Sequence, residues 1–188
     1  MSLSTDYIKA VTGKFDTNTI FCLNVSSKKI KNVTALNNCA NLLVLNISYN
    51  NISSINELNN LKMLIMLDIS YNDISDINII KEFKMLKTLK AQGNRINSLD
   101  NIHILSSLDS IQKIYFQEVS GNASNPICKI DNYRLKVFKN CQKLKVLDGT
   151  PQGFSLIDQY KNTLNIISNN SEDNITDKFD FDYKSKLL

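Results

Sequence analysis

Read for its apolar positions alone, the chain repeats itself. The segments IFCLNVSSKKI from Ile20, LLVLNISYNNI from Leu42, LIMLDISYNDI from Leu64 and LKTLKAQGNRI from Leu86 start 22 residues apart. Each carries apolar side chains at its first, fourth, sixth and eleventh positions. The fourth and sixth positions (Leu23 and Val25, Leu45 and Ile47, Leu67 and Ile69, Leu89 and Ala91) fit the two-residue alternation of a short strand with one face inward. The third, fifth and seventh positions then face outward. A single coil of this length cannot bury its own apolar side, so stacked coils must cover one another and their strands must form one parallel sheet.

The second half of each unit, ISSINELNNLKM or ISDINIIKEFKM, spaces Ile55, Leu58 and Leu61, or Ile77, Ile80 and Phe83, for a short helical turn on the far side. A fifth strand, IQKIYF, begins 25 residues after Leu86, which predicts a longer helix across DNIHILSSLDS. An irregular insert, EVSGNAS, precedes Asn125. Any exposed end of such a stack needs a cap. At the front, Ser4 or Thr5 is placed to N-cap a helix carrying Tyr7, Ile8 and Val11, with Gly13 to end it. At the back, Tyr133, Val137 and Phe138 share a helix face ahead of a last strand with Leu144 and Leu147.

The ninth position is Asn50, Asn72 and Asn94 in three copies and Lys28 in the first. There the chain turns inward and leaves backbone groups without sheet partners, and one amide side chain both donates and accepts. These asparagines are expected to be structural, and the lysine to loosen the first turn.

The unit L-x-x-L-x-L-x-x-N-x-I is the leucine-rich-repeat signature, and the end of the chain carries that resemblance further. Asn125, Pro126 and Cys128 match N-P-x-C, Tyr133, Arg134 and Val137 match Y-R-x-x-V, and Leu147, Asp148 and Gly149 match L-D-G. This pattern resembles the C-terminal cap of cytosolic leucine-rich-repeat proteins. Within that group the chain is most similar to the type of leucine-rich-repeat-containing protein 61, through I-K-x-x-T-G-x-F at Ile8–Phe15 and A-x-G-N at Ala91–Asn94. The resemblance implies an α/β fold, a right-handed solenoid or horseshoe with a parallel concave sheet, short convex helices and two caps. It also implies structural roles for Asn125, Tyr133, Arg134 and Asp148, and a role in binding other proteins. A single domain is expected over residues 1–168: a cap helix region at 4–19, repeats at 20–124 and a C-terminal cap at 125–168. Phe154, Ile157, Tyr160, Leu164 and Ile167 lie on one helical stripe that would pack on that cap, and the polar 169–188 stretch is expected to be a disordered tail.

Composition narrows the functional classes. The net charge of +4 is too small and dispersed to point to nucleic acid or an anionic membrane. No run of 18 apolar residues is present, and MSLSTDYIKAVTGKF lacks the features of a signal peptide, so a cytoplasmic protein, with a cytoskeletal or nuclear site as variants, is expected. Cys22, Cys39, Cys128 and Cys141 form no C-x-x-C pair, and His103 is the only histidine. No nucleophile with a base, metal cluster or phosphate-cradling glycine loop is written here, so no enzyme and no cofactor are expected.

The exposed strand positions are the candidate binding surface. Asn24, Val44, Asn46, Met66, Asp68, Lys90, Lys113 and Tyr115 would face a partner, and Tyr49 and Tyr71 would stand at its edge as aromatic anchors or as packing between loops. Val44 and Met66 make a central apolar spot, with Asp68 to one side and Lys90 and Lys113 to the other. The expected partner is a helix or extended segment of another protein, held by a non-catalytic adaptor that is a monomer on its own. A cytoskeletal or axonemal component is the alternative, followed by a phosphatase-1 regulatory or ribonucleoprotein subunit.

Overall fold

The computed structural model describes residues 1–98 and 100–153. Six short strands, β1 (Cys22–Asn24), β2 (Val44–Asn46), β3 (Met66–Asp68), β4 (Thr88–Lys90), β5 (Lys113–Tyr115) and β6 (Val146–Leu147), lie side by side in chain order and all run parallel. A final strand, β7 (Thr150–Pro151), turns back antiparallel on β6. The register follows the repeat: Leu23, Leu45, Leu67, Leu89, Ile114 and Leu147 stand beside one another, all buried. The described residues therefore form a leucine-rich-repeat solenoid.

The side opposite the sheet is built from 3-10 turns at Thr34–Asn38, Asn56–Leu58, Asn78–Glu82, Ile104–Ser107 and Pro126–Lys129. These are tighter than the α-helical turns that the spacing allows, because a 22-residue coil leaves few residues for its return and a 3-10 turn rises more per residue. The longer fourth unit adds α2 (Asp100–His103) immediately before its 3-10 turn, in the place expected for extra helix. The core is a continuous column from Ile8 through Leu45, Leu67 and Phe83 to Phe116 and Val137.

The front cap is α1 (Thr5–Thr12). The Ser4 side chain accepts a hydrogen bond from the Tyr7 N–H at 3.2 Å, and Gly13 ends the helix with φ +66°, a left-handed turn open to glycine without strain. Ile8 is buried beneath it, whereas Val11 is 49% exposed and does not cover the first coil. At the back, α3 (Tyr133–Asn140) buries Tyr133, Val137 and Phe138. The stripe from Phe154 to Ile167 and the 169–188 tail lie outside the described residues. Among the described residues no helix is long and apolar enough to cross a membrane.

Candidate functional site

The site begins with what holds the loops beneath it. Asn72 accepts a hydrogen bond at Oδ1 from the Ile52 N–H (3.0 Å) and donates from Nδ2 to the carbonyls of Ile47, Ile69 and Ser70 (3.0–3.1 Å). Asn50 and Asn94 repeat this arrangement one coil before and one coil after. Each amide thus ties its own turn to the turn of the preceding coil, and each is only 7% exposed. Asn125 carries the pattern across the insert, accepting from the Ile96 N–H at 3.0 Å and donating to the carbonyls of Ala91 and Phe116. Ahead of Lys28, residues 1–19 hold the front cap in place of a strand-bearing coil, and the Lys28 N–H is itself held by Asn50 at 2.9 Å.

The ladder ends in a charged knot. Asp148 accepts at Oδ1 from the N–H groups of Phe116 (2.8 Å) and Gln117 (3.3 Å), and at Oδ2 from the Tyr133 hydroxyl (3.1 Å). Arg134 lies 3.5 Å from the same carboxylate and donates to the Leu147 carbonyl at 2.8 Å. Burial pushes the Asp148 carboxyl above its ordinary range, and the donated hydrogen bonds and the guanidinium pull only part of the way back. Burial also pushes the Cys128 thiol up to about 11, which disfavours the thiolate. These four cap residues bind backbone and one another, which is a structural role.

The exposed sheet face divides into rows, one residue per coil, at the roughly 4.8 Å spacing of neighbouring strands. The fifth-position row is largely satisfied from within. Asn46 accepts from the N–H (2.9 Å) and hydroxyl (2.7 Å) of Ser48, and Asp68 accepts likewise from Ser70 while Lys90 stands 3.8 Å away. Asp68 is consequently 7% exposed, a self-contained group more than an offered acid. Asn24 is exposed and accepts only from the Ser26 N–H, and Tyr115 is partly exposed. The third-position row reads Cys22, Val44, Met66, Thr88, Lys113 and Val146, with Cys22 and Lys113 exposed and the others partly so.

Tyr49 and Tyr71 hold left-handed backbone, each with φ +54°. Their rings stack at 4.1 Å between centroids and 10° between planes. Tyr71 lies against Gly93, where a Cβ would meet its Cδ1 at 3.0 Å, and its hydroxyl donates to Glu118. Tyr71 is thus mostly committed to packing, whereas Tyr49 is 55% exposed at the free end of the stack.

Reasoning from strand alternation passed over the second-position row, because the strands are three residues long and this position precedes them. Each member's N–H donates to the carbonyl of its predecessor at 2.8 or 2.9 Å, which puts Phe21, Leu43, Ile65, Lys87, Gln112 and Lys145 in one line. The available signal was apolar Phe21, Leu43 and Ile65 at a position that faces away from the core. Phe21 is 52% exposed and forms one wall of an open groove of ≈490 Å³ with Val11, Lys14, Cys22 and Asn24. No group of three His, Cys, Asp or Glu side chains able to hold a metal occurs among the described residues, and His103 is exposed beside Asn140.

No family model matches the chain, and no curated protein does. Solved structures do match. An internalin, InlF, from Listeria monocytogenes aligns with a TM-score of 0.57 and 22% identity over 71% of this chain and 36% of its own. The Drosophila melanogaster SNF/U2A' complex aligns with a TM-score of 0.61 and 18% identity over 75% of this chain and 79% of its own. A Leptospira interrogans leucine-rich-repeat protein aligns with a TM-score of 0.51 and 21% identity over 67% of this chain and 30% of its own. The chain thus spans about a third of the length of the first and third of these. At such identities the likeness is one of fold, that of the leucine-rich-repeat solenoid.

Proposed function

We propose that this protein is a non-catalytic, cytoplasmic adaptor that holds a segment of another protein against the exposed face of its sheet. The observation that carries this reading is an apolar centre on that face among the described residues, the partly exposed Val44 and Met66, with the half-exposed ring of Tyr49 past the end of the strand. Aromatic and apolar side chains of this kind anchor protein interfaces, and a repeat sheet offers them on a rigid support. Asn24, Asn46, Asp68, Lys90, Lys113 and Tyr115 frame the centre and set orientation. Tyr71 serves by propping Tyr49. One structural neighbour was solved as a protein complex, SNF/U2A', which agrees with such a use.

The finer likeness to cytosolic leucine-rich-repeat proteins with the N-P-x-C, Y-R-x-x-V and L-D-G cap supports an intracellular binding module. A cytoskeletal or axonemal component is the second reading, favoured by that likeness alone. The test is affinity recovery from native cells with the full chain and with a Val44→Ala, Tyr49→Ala, Met66→Ala variant. A discrete protein should be recovered by the first and lost with the second while both melt alike; undiminished recovery by the variant would remove the sheet face from consideration.

A further inference from the structure

The two outer rows of the sheet face change character halfway along the stack. Over β1 to β3 they present Phe21, Leu43 and Ile65 beside Val44 and Met66, and the exposed Phe21 ring continues into the groove behind α1. Over β4 to β6 the same two rows present the exposed Lys87, Lys113 and Lys145, interleaved with the partly exposed Thr88, Gln112 and Val146. None of these lysines forms an ion pair among the described residues, whereas Lys62, Lys90, Arg95, Arg134 and Lys143 each do. Like charges on neighbouring strands repel, and no carboxylate lies within ion-pair distance of these three among the described residues. An apolar surface in line with an unneutralised cationic one fits a ligand with the opposite order of chemistry.

We infer that the partner segment is amphipathic along its length, with aliphatic or aromatic side chains seated over β1 to β3 and carboxylates lying over Lys87, Lys113 and Lys145. This rests on the sheet face being the docking surface and adds the class and polarity of what docks. A polyanion such as RNA matches only the lysine half, because the other half offers it apolar side chains and one groove lysine, Lys14. Three solvent-screened charge contacts amount to roughly a ten-fold effect on affinity.

The experiment is selection of a 16-residue random peptide phage library on the immobilised full chain, followed by Kd measurement of the best peptide on three proteins. These are the wild type, a Lys87→Glu, Lys113→Glu, Lys145→Glu variant and a Val44→Ser, Met66→Ser variant, each checked for an unchanged melting curve. The expected ligands carry an apolar cluster at one end and Asp or Glu at the other. They should bind about ten-fold more weakly to the charge-reversed protein and lose the difference in high salt. Ligands without acidic enrichment that need Val44 and Met66 but ignore the charge reversal would overturn this inference and leave the docking face standing. Ligands indifferent to both variants, or no enriched ligand, would overturn both. Displacement of the peptide by polyuridine with affinity equal to the peptide's own would overturn the assignment to protein in favour of RNA.

Discussion

Asparagine occupies two places in the repeat, and the two behave as different residues. At the ninth position Asn50, Asn72 and Asn94 are buried and join one coil to the one before it. At the fifth position Asn24 and Asn46 lie on the sheet face, and among the described residues their side chains bond to a serine two residues on. The first kind makes the array one object. The second leaves the array undisturbed and is available to whatever touches the sheet. The cross-coil ties are therefore carried by the ninth-position row, and on the proposed reading recognition falls to the rows of the sheet face.

The sharpest way to break that separation is Asn72→Ala, which orphans the Ile52 N–H and the carbonyls of Ile47, Ile69 and Ser70. A loss on the order of 1–3 kcal/mol is expected in urea unfolding, since buried unsatisfied groups carry their full desolvation cost. A midpoint within error of the wild type would remove the ladder from the account.

A smaller effect sharpens the comparison at the far end of the ladder, where an ionisable group replaces the amide. The folded chain holds the Asp148 proton to higher pH than the unfolded chain, whose carboxyl keeps its ordinary value near 3.8. Stability from this group is thus greatest below that value and falls as pH rises through the raised one. Asp148→Asn keeps an acceptor for the Phe116 and Gln117 N–H groups and abolishes the titration. Melting temperatures measured from pH 4 to 7 should shift progressively in favour of Asp148→Asn relative to the wild type, and a constant difference would count against the burial of that charge.

The smallest effect belongs to the outer face. Asn46→Ala removes two local hydrogen bonds from Ser48 at a partly exposed site, and its unfolding free energy should stay within about 0.5 kcal/mol of the wild type. A loss comparable to that of Asn72→Ala would erase the distinction between the rows.

Much of this was legible in the residues because the repeat makes its own alignment. A 22-residue period is enough to set Leu45 beside Leu67 and Val44 beside Met66, and the strands adopt that register. The Ser4 cap, the Gly13 stop and the extra helix in the fourth unit followed from local chemistry. Less legible were features that depend on neighbouring coils. That Tyr71 packs on Gly93 and hands its hydroxyl to Glu118 requires knowing where the insert folds back. That the Lys28 N–H is held by the amide of the next coil requires seeing that a ladder amide reaches backward. The line of Phe21, Leu43 and Ile65 precedes the strands, so strand alternation assigns it no face.

The central claim is that scaffold and recognition surface are separable, and it is tested most directly by measuring unfolding and peptide binding on the same two variants. Asn72→Ala should melt early yet bind, below its transition, the peptide selected on the wild type with unchanged Kd. Val44→Ser, Met66→Ser should melt like the wild type and fail to bind. If Asn72→Ala lost binding while still folded, or if the sheet-face variant bound as well as the wild type, the division of labour between the two rows would be contradicted.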